Sequence, residues 1–114
     1  MAFNYSEGAP TVGTTEYYLV SASTTQTLQT TEGTVQVFVD TNAIAAGELF
    51  RLRLYEKTRT ADTVRLVESW FIPGTQSKPM WVSPAFALSR GWEWSLTKIT
   101  GTDRAIPYSV RRIA

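Results

Sequence analysis

The sequence contains no cysteine and no histidine. Disulfide scaffolds, thiol nucleophiles, zinc fingers, haem ligation and every mechanism that turns on an imidazole are thereby excluded. Nor is there an excess of charge of one sign. Eleven Lys and Arg face ten Asp and Glu, a net charge of +1, which argues against a polyanion-binding tail or an acidic solvating segment. No apolar run approaches the ~18–20 residues of a membrane-spanning helix. The opening residues lack a basic stretch followed by an apolar one, so no targeting segment is read there, and a soluble protein made in a cytoplasm is expected. Long amphipathic helical patterns, fixed-period repeats, SxxK and GxSxG motifs and glycine-rich phosphate cradles are all missing.

What is present is apolar and rich in strand formers. Hydrophobic residues make up 43% of the 114, too many for a disordered chain and enough for one core. Residues 1–15 hold Gly8, Pro10 and Gly13 among small polar residues without periodicity, and are expected to form an extended N-terminal arm. On that reading the arm is mobile in the free protein, and its loss leaves the remainder folded. Its two aromatics, Phe3 and Tyr5, are candidate anchors to a partner, because a solvated tail has little use for them.

Residues 16–114 are read as a single all-β domain, an antiparallel β-sandwich of jelly-roll or immunoglobulin-like type. Strands are expected over 16–22, 25–30, 34–40, 48–58, 64–72, 92–99 and 105–113, and over 79–88 with a break at Pro84. Val35, Val37 and Val39 share one face of their strand, as do Phe50, Leu52 and Leu54 of theirs. Only 41–47 looks helical, for one turn ended by Gly47.

Segments 48–58 and 64–72 suit a hairpin in which opposed residue numbers sum to 121. That register sets Arg53 against Glu68, Glu56 against Arg65, Leu54 against Val67 and Phe50 against Phe71. It places Arg51 beside Trp70 on the outer face, within reach of a cation–π contact. The tip at Thr60-Ala61 lacks the residues of a tight turn, so a wider loop is expected.

Residues that could carry chemistry are few. Glu56, Glu68 and Glu93 are the candidates for a glycosidase carboxylate pair, but each is better read as an exposed strand charge. Asp40-Thr41-Asn42 is a turn cap sooner than a calcium ligand set. Arg51, Arg53, Lys57, Arg59, Arg65, Arg111 and Arg112 lie near aromatics, yet the balanced charge argues against nucleic acid. Trp92 and Trp94 share a strand face with Leu96 and read as core or interface anchors sooner than sugar platforms. A domain this small cannot readily hide four Trp, five Phe and five Tyr, so Trp70 and Trp81, with Arg51 and Arg53, are expected to meet a partner. No catalytic, metal or cofactor site is read.

Pro79-Met80-Trp81-Val82-Ser83-Pro84, Gly91-Trp92-Glu93-Trp94, Gly101-Thr102-Asp103-Arg104 and Tyr108-Ser109-Val110-Arg111-Arg112 resemble stretches of small virion proteins of tailed bacteriophages. The resemblance covers about residues 34–113. It implies a structural role on the virion, as a capsid decoration (cement) protein binding the major capsid protein in symmetric copies or as a homo-oligomer. A tail or head–tail connector component is the second reading. A carbohydrate-binding module using Trp81 or Trp92 as a platform is the third. Membrane, nucleic-acid and small-molecule partners are not expected.

Overall fold

A computed structural model describes residues 3–114. In chain order the strands are β1 (Phe3–Gly8), β2 (Thr11–Val12), β3 (Tyr17–Tyr18), β4 (Gly33–Asp40), β5 (Leu49–Glu56) and β6 (Arg65–Pro73), then β7 (Met80–Val82), β8 (Phe86–Leu88), β9 (Trp92–Thr100), β10 (Arg104–Ala105) and β11 (Tyr108–Ile113). All pairings are antiparallel. One sheet runs β1-β11-β4, with β7 and β8 pairing successive parts of β4; the other runs β3-β9-β5-β6; β2 and β10 form a short ribbon. The fold is an all-β antiparallel sandwich, and no helix occurs among the described residues.

Alternation builds the core. Val35, Val37, Val39, Tyr108 and Val110 point inward from the first sheet; Phe50, Leu52, Leu54, Ile72, Trp92, Trp94 and Leu96 come from the second. Breaks follow proline, which has no N–H to donate to a ladder. Ser83 precedes Pro84 in the gap between β7 and β8, and there its hydroxyl accepts from the Val37 amide at 2.9 Å. The expected helical turn over 41–47 is two successive turns, Ile44 N–H to Thr41 O and Glu48 N–H to Ala45 O. Gly47, at φ 82°, supplies the left-handed residue of the second.

The N-terminal residues depart from expectation. Residues 3–8 are extended but not free: all six pair with β11, from Phe3 opposite Ile113 to Gly8 opposite Tyr108. Val12 is fully buried, and β2 pairs β10. The apparent aperiodicity of this segment has a steric cause. Its small residues are the ones that fit against the sandwich: a Cβ on Gly8 would lie 3.2 Å from the Tyr108 ring. Met1 and Ala2 lie outside the described residues.

Three further expectations are corrected. Within 16–22 only Tyr17–Tyr18 is strand; the chain then doubles back, Tyr18 bridging Ser23. Within 25–30 only Gln29 makes a bridge, to Trp92. The hairpin begins at a sum of 121, with Glu56 opposite Arg65 and Tyr55 opposite Leu66, but a bulge at Val67 moves the rest by one. Leu54 then faces Glu68, Arg53 faces Ser69, Arg51 faces Phe71 and Phe50 faces Ile72. The bulge turns Trp70 and Ile72 into the core and Phe71 outward. A strand charge pair, worth at most ~1 kcal/mol, is outweighed by burial of two large apolar side chains at ~1.5–3 kcal/mol each.

One part-buried ion pair ties the loops together at one end. Arg104 Nε and Nη2 donate to the two Glu48 oxygens, each at 2.9 Å, while Ala45 and Thr102 amides donate to the same carboxylate. Gly101 makes room: its φ is 114°, and a Cβ there would lie 2.5 Å from Glu48 Cγ. The Arg104 hydrogen bonds, then the two amides, hold the Glu48 carboxyl at about 2, below its ordinary 4.5. A depressed carboxylate stabilises the fold above its unfolded value, and this contribution is lost as pH falls through the folded one. Thermal melts should therefore show a loss of stability between about pH 4.5 and pH 2 that is smaller in Glu48→Gln. Deleting residues 1–15 should lower stability by more than about 2 kcal/mol in urea unfolding, since it strips β1 from β11 and empties the Val12 site.

Candidate interaction surfaces

The outer face of the first sheet is unusually apolar. Inward Val35, Val37 and Val39 leave Gln36 and Phe38 pointing out of β4. The register aligns Phe3 and Tyr5 of β1, Ile113 and Arg111 of β11, and Val82 and Met80 of β7 on the same side. Phe3 is 52% exposed, Tyr5 58%, Met80 54% and Val82 42%. The Phe3 and Tyr5 rings stack with centroids 6.0 Å apart. The Arg111 guanidinium lies 3.8 Å from the Phe38 ring centroid, a cation–π contact. It is held there by a relay: Arg111 Nε donates to Ser109 Oγ at 3.2 Å, and Ser109 Oγ donates to Glu7 at 2.9 Å. Two shallow hollows flank this ridge. One, of about 180 Å³, is lined by Phe3, Gln36 and Ile113; the other, of about 170 Å³, by Met80, Pro107 and Asp40.

The six residues expected to meet a partner fall in three places. Phe3 and Tyr5 lie on this apolar face. Arg51 and Arg53 lie on the opposite side of the molecule, on the outer face of the second sheet. Trp70 and Trp81 face inward and are half-buried. Trp70 stacks on Trp94 at 5.9 Å and meets Trp81 edge-on at 5.7 Å and Phe86 at 5.9 Å. They close one side of the sandwich, and Arg51 makes no cation–π contact with Trp70 among the described residues. Trp92 is 2% exposed and donates its indole N–H to Thr31 O, so it offers no platform to a sugar. Phe38, Met80, Val82 and Ile113, which share the apolar face, are not among the six. Their signal is parity: large apolar side chains at strand positions whose neighbours face the core.

The carboxylates hold structure. Glu93 is fully buried, against the expectation of an exposed strand charge. Its Oε1 accepts from Val20 N–H at 3.1 Å and Trp94 N–H at 2.8 Å; its Oε2 accepts from Ser21 N–H at 2.8 Å and Ser21 Oγ at 2.6 Å. Burial pushes this carboxyl above its ordinary range, against the pull of those donors. Glu56 accepts from the Ser89 and Arg90 amides, and exposed Glu68 from the amide of Ser69. Glu16 accepts from the Ser95, Tyr55 and Tyr18 hydroxyls. Burial works against its ionisation, but those bonds and the Arg53 charge outweigh it and hold the carboxyl low. Next to it, burial and then the Glu16 charge push the Tyr18 hydroxyl up to about 12. No group of three or more acidic side chains among the described residues could hold a metal ion, and no helix is long and apolar enough to cross a membrane.

Glu93→Ala would strand three backbone N–H donors. It should cost at least about 3 kcal/mol, read by denaturant unfolding. Amide exchange should rise first at Val20 and Ser21.

The chain matches no known protein family and no curated protein, so what it does is to be read from these surfaces.

Proposed function

We propose that this protein is a non-enzymatic assembly component, a decoration protein that binds the outer shell of a bacteriophage capsid and bridges neighbouring copies of the major capsid protein. The observation that supports the reading best is the apolar outer face of the first sheet. Phe3, Tyr5, Met80 and Val82 are each near half exposed and together leave ~350 Å² of apolar surface in water. A patch of that size matches the largest on a typical monomer, which is often functional. Covering it is worth ~9 kcal/mol gross at ~25 cal/mol/Å², much of it offset by the cost of association. A single contact is therefore modest, and many copies on one rigid shell add through avidity. A clip that binds assembled shell better than free coat protein then stabilises the shell by mass action.

The contact is made by a preformed sheet face and needs no ordering of an arm. Phe3 and Tyr5 belong to it as strand residues. The ion-paired and hydrogen-bonded carboxylates have structural duties, and an assembly protein asks no chemistry of them.

The test is cosedimentation of the purified protein with shells assembled from the major capsid protein of the same virion. The double variant Tyr5→Asp, Met80→Asp should keep its melting temperature to within a few degrees, because both side chains are more than half exposed. It should lose at least tenfold in shell affinity and forfeit the gain in particle heat resistance. Failure of the unaltered protein to associate with shells would sink the proposal.

A further inference from the structure

The two sheets end in free edges, and the edges are not alike. On the second sheet, β3 is two residues long. At its other side β6 is interrupted by the bulge at Val67, carries Arg65 and Glu68, and ends in Pro73. On the first sheet, β7 and β8 have three residues each and are parted at Pro84. Short strands, bulges, charges and prolines all keep an exposed edge from pairing with another chain. The remaining edge, β1, has six residues, no proline, no bulge and the single charge of Glu7. Beyond its ladder with β11, no backbone group of residues 3–8 bonds elsewhere in the chain among the described residues. Alternate N–H and C=O groups therefore face outward along ~20 Å of strand.

This edge is its own complement. When two identical strands pair antiparallel about a twofold axis, opposed residue numbers sum to a constant, and the alternation of outward groups makes that sum even. A sum of 10 pairs all of residues 3–7. Tyr5 then meets Tyr5 of the second copy on the axis, and Asn4 meets Ser6 in both directions. The stacked rings of Phe3 and Tyr5, 6.0 Å apart, lie beside their own image, four aromatics within reach along the diagonals. Asn4 and Ser6 form a polar pair on the other side of the sheet. The two Glu7 side chains stand four residues apart, ~14 Å, so no like charges are opposed. A sum of 8 pairs only residues 3–5 among those described, and a sum of 12 sets Tyr5 against Glu7.

We propose that β1 is a dimerisation strand: two copies of this chain join edge to edge about a twofold axis at Tyr5, making one continuous sheet of their two first sheets. The seam is short. It falls below the ~800 Å² per partner of a standard interface, so the pair is weak in dilute solution and fills as the local concentration rises. The pairing itself stands without the shell-binding reading; only its use rests on that reading. Phe3 and Tyr5 are the part of the apolar face nearest the axis, so the two apolar faces become neighbours on one side of the joined sheet. A dimer then offers a shell two contacts in place of one.

The chain has no cysteine, so a single introduced thiol reports its own neighbours. Opposed Cα atoms in an antiparallel pair lie ~4.5–5.5 Å apart, within disulfide range. Under mild oxidation Tyr5→Cys should form a disulfide-linked dimer at least about tenfold faster than Phe71→Cys. The two sites are equally exposed, at 58% and 59%, but Phe71 sits on the bulged edge β6. In NMR spectra of the unaltered full chain, raising the concentration from about 10 μM to about 1 mM should shift the amides of residues 3–7. Tyr5→Lys and Tyr5→Glu should each abolish those shifts with the rest of the spectrum unchanged. An equimolar mixture of the two should restore them, since opposite charges then meet on the axis. Equal oxidation rates, a mixture that behaves as its components do, or an unaltered chain whose spectrum ignores concentration would each overturn the proposal. Crosslinking is read without shells, so it can succeed where shell binding fails. Met80→Asp, on the far edge of the sheet, should weaken shell binding and leave the pairing intact.

Discussion

From Trp92 to Thr97, strand β9 is sealed from water on both sides, and the sandwich is organised around that constraint. Trp92, Trp94 and Leu96 supply the inner face, while Glu93, Ser95 and Thr97 face outward yet are almost wholly covered. A polar side chain removed from water must find its partners within the protein. Glu93 finds four donors by folding the chain at Val20 and Ser21 back on itself, and Ser95 finds Glu16. The segment from Glu16 to Ser21 is therefore shaped by the carboxylate it serves and the hydroxyl that serves it. This accounts for the short run of β3: amides that would have continued a ladder are turned toward Glu93. Among the described residues, Thr97 is the member of this row whose hydroxyl has no partner.

The architecture was legible in the sequence because its signals are local. Alternation in 34–40 and 48–58 marks core faces directly, and the break at Pro84 follows from a missing N–H; the expected strand over 105–113 is likewise split, ahead of Pro107, which was not foreseen. Register in the hairpin was legible only at its tip, where Glu56 meets Arg65. What turned it was packing beyond the two strands: the stack of Trp70 on Trp94 of β9 in the same sheet, and its edge-on meetings with Trp81 and Phe86 of the other sheet. Pairwise charge matching between two strands carries no information about a third element.

The N-terminal strand and the apolar face escaped for a related reason. Residues 3–8 place their large side chains outward and small ones against the sandwich, the reverse of the pattern that normally advertises a strand. Phe3 and Tyr5 were nonetheless singled out, because aromatics in a polar segment ask for a partner, and both are more than half exposed. The neighbours that complete the patch, Phe38 and Arg111, come from strands β4 and β11, whose adjacency is a matter of topology. Trp70 and Trp81 show the converse: aromatic content forecast exposed rings, and exposure fell instead on Phe71, Met80 and Val82.

The pairing of β1 with β11 has a mechanical corollary. Antiparallel alignment from Phe3 opposite Ile113 to Gly8 opposite Tyr108 brings the two strand ends out at one corner of the molecule. Tension applied through those ends would open the ladder one rung at a time, as a zipper, and each rung would bear the load alone. Pressure delivered broadside across the sheets would be shared by the whole packed interior. The molecule is thus built to be leaned on and poorly built to be pulled. Any polypeptide joined before Phe3 or after Ile113 would emerge beside the apolar face and shade it.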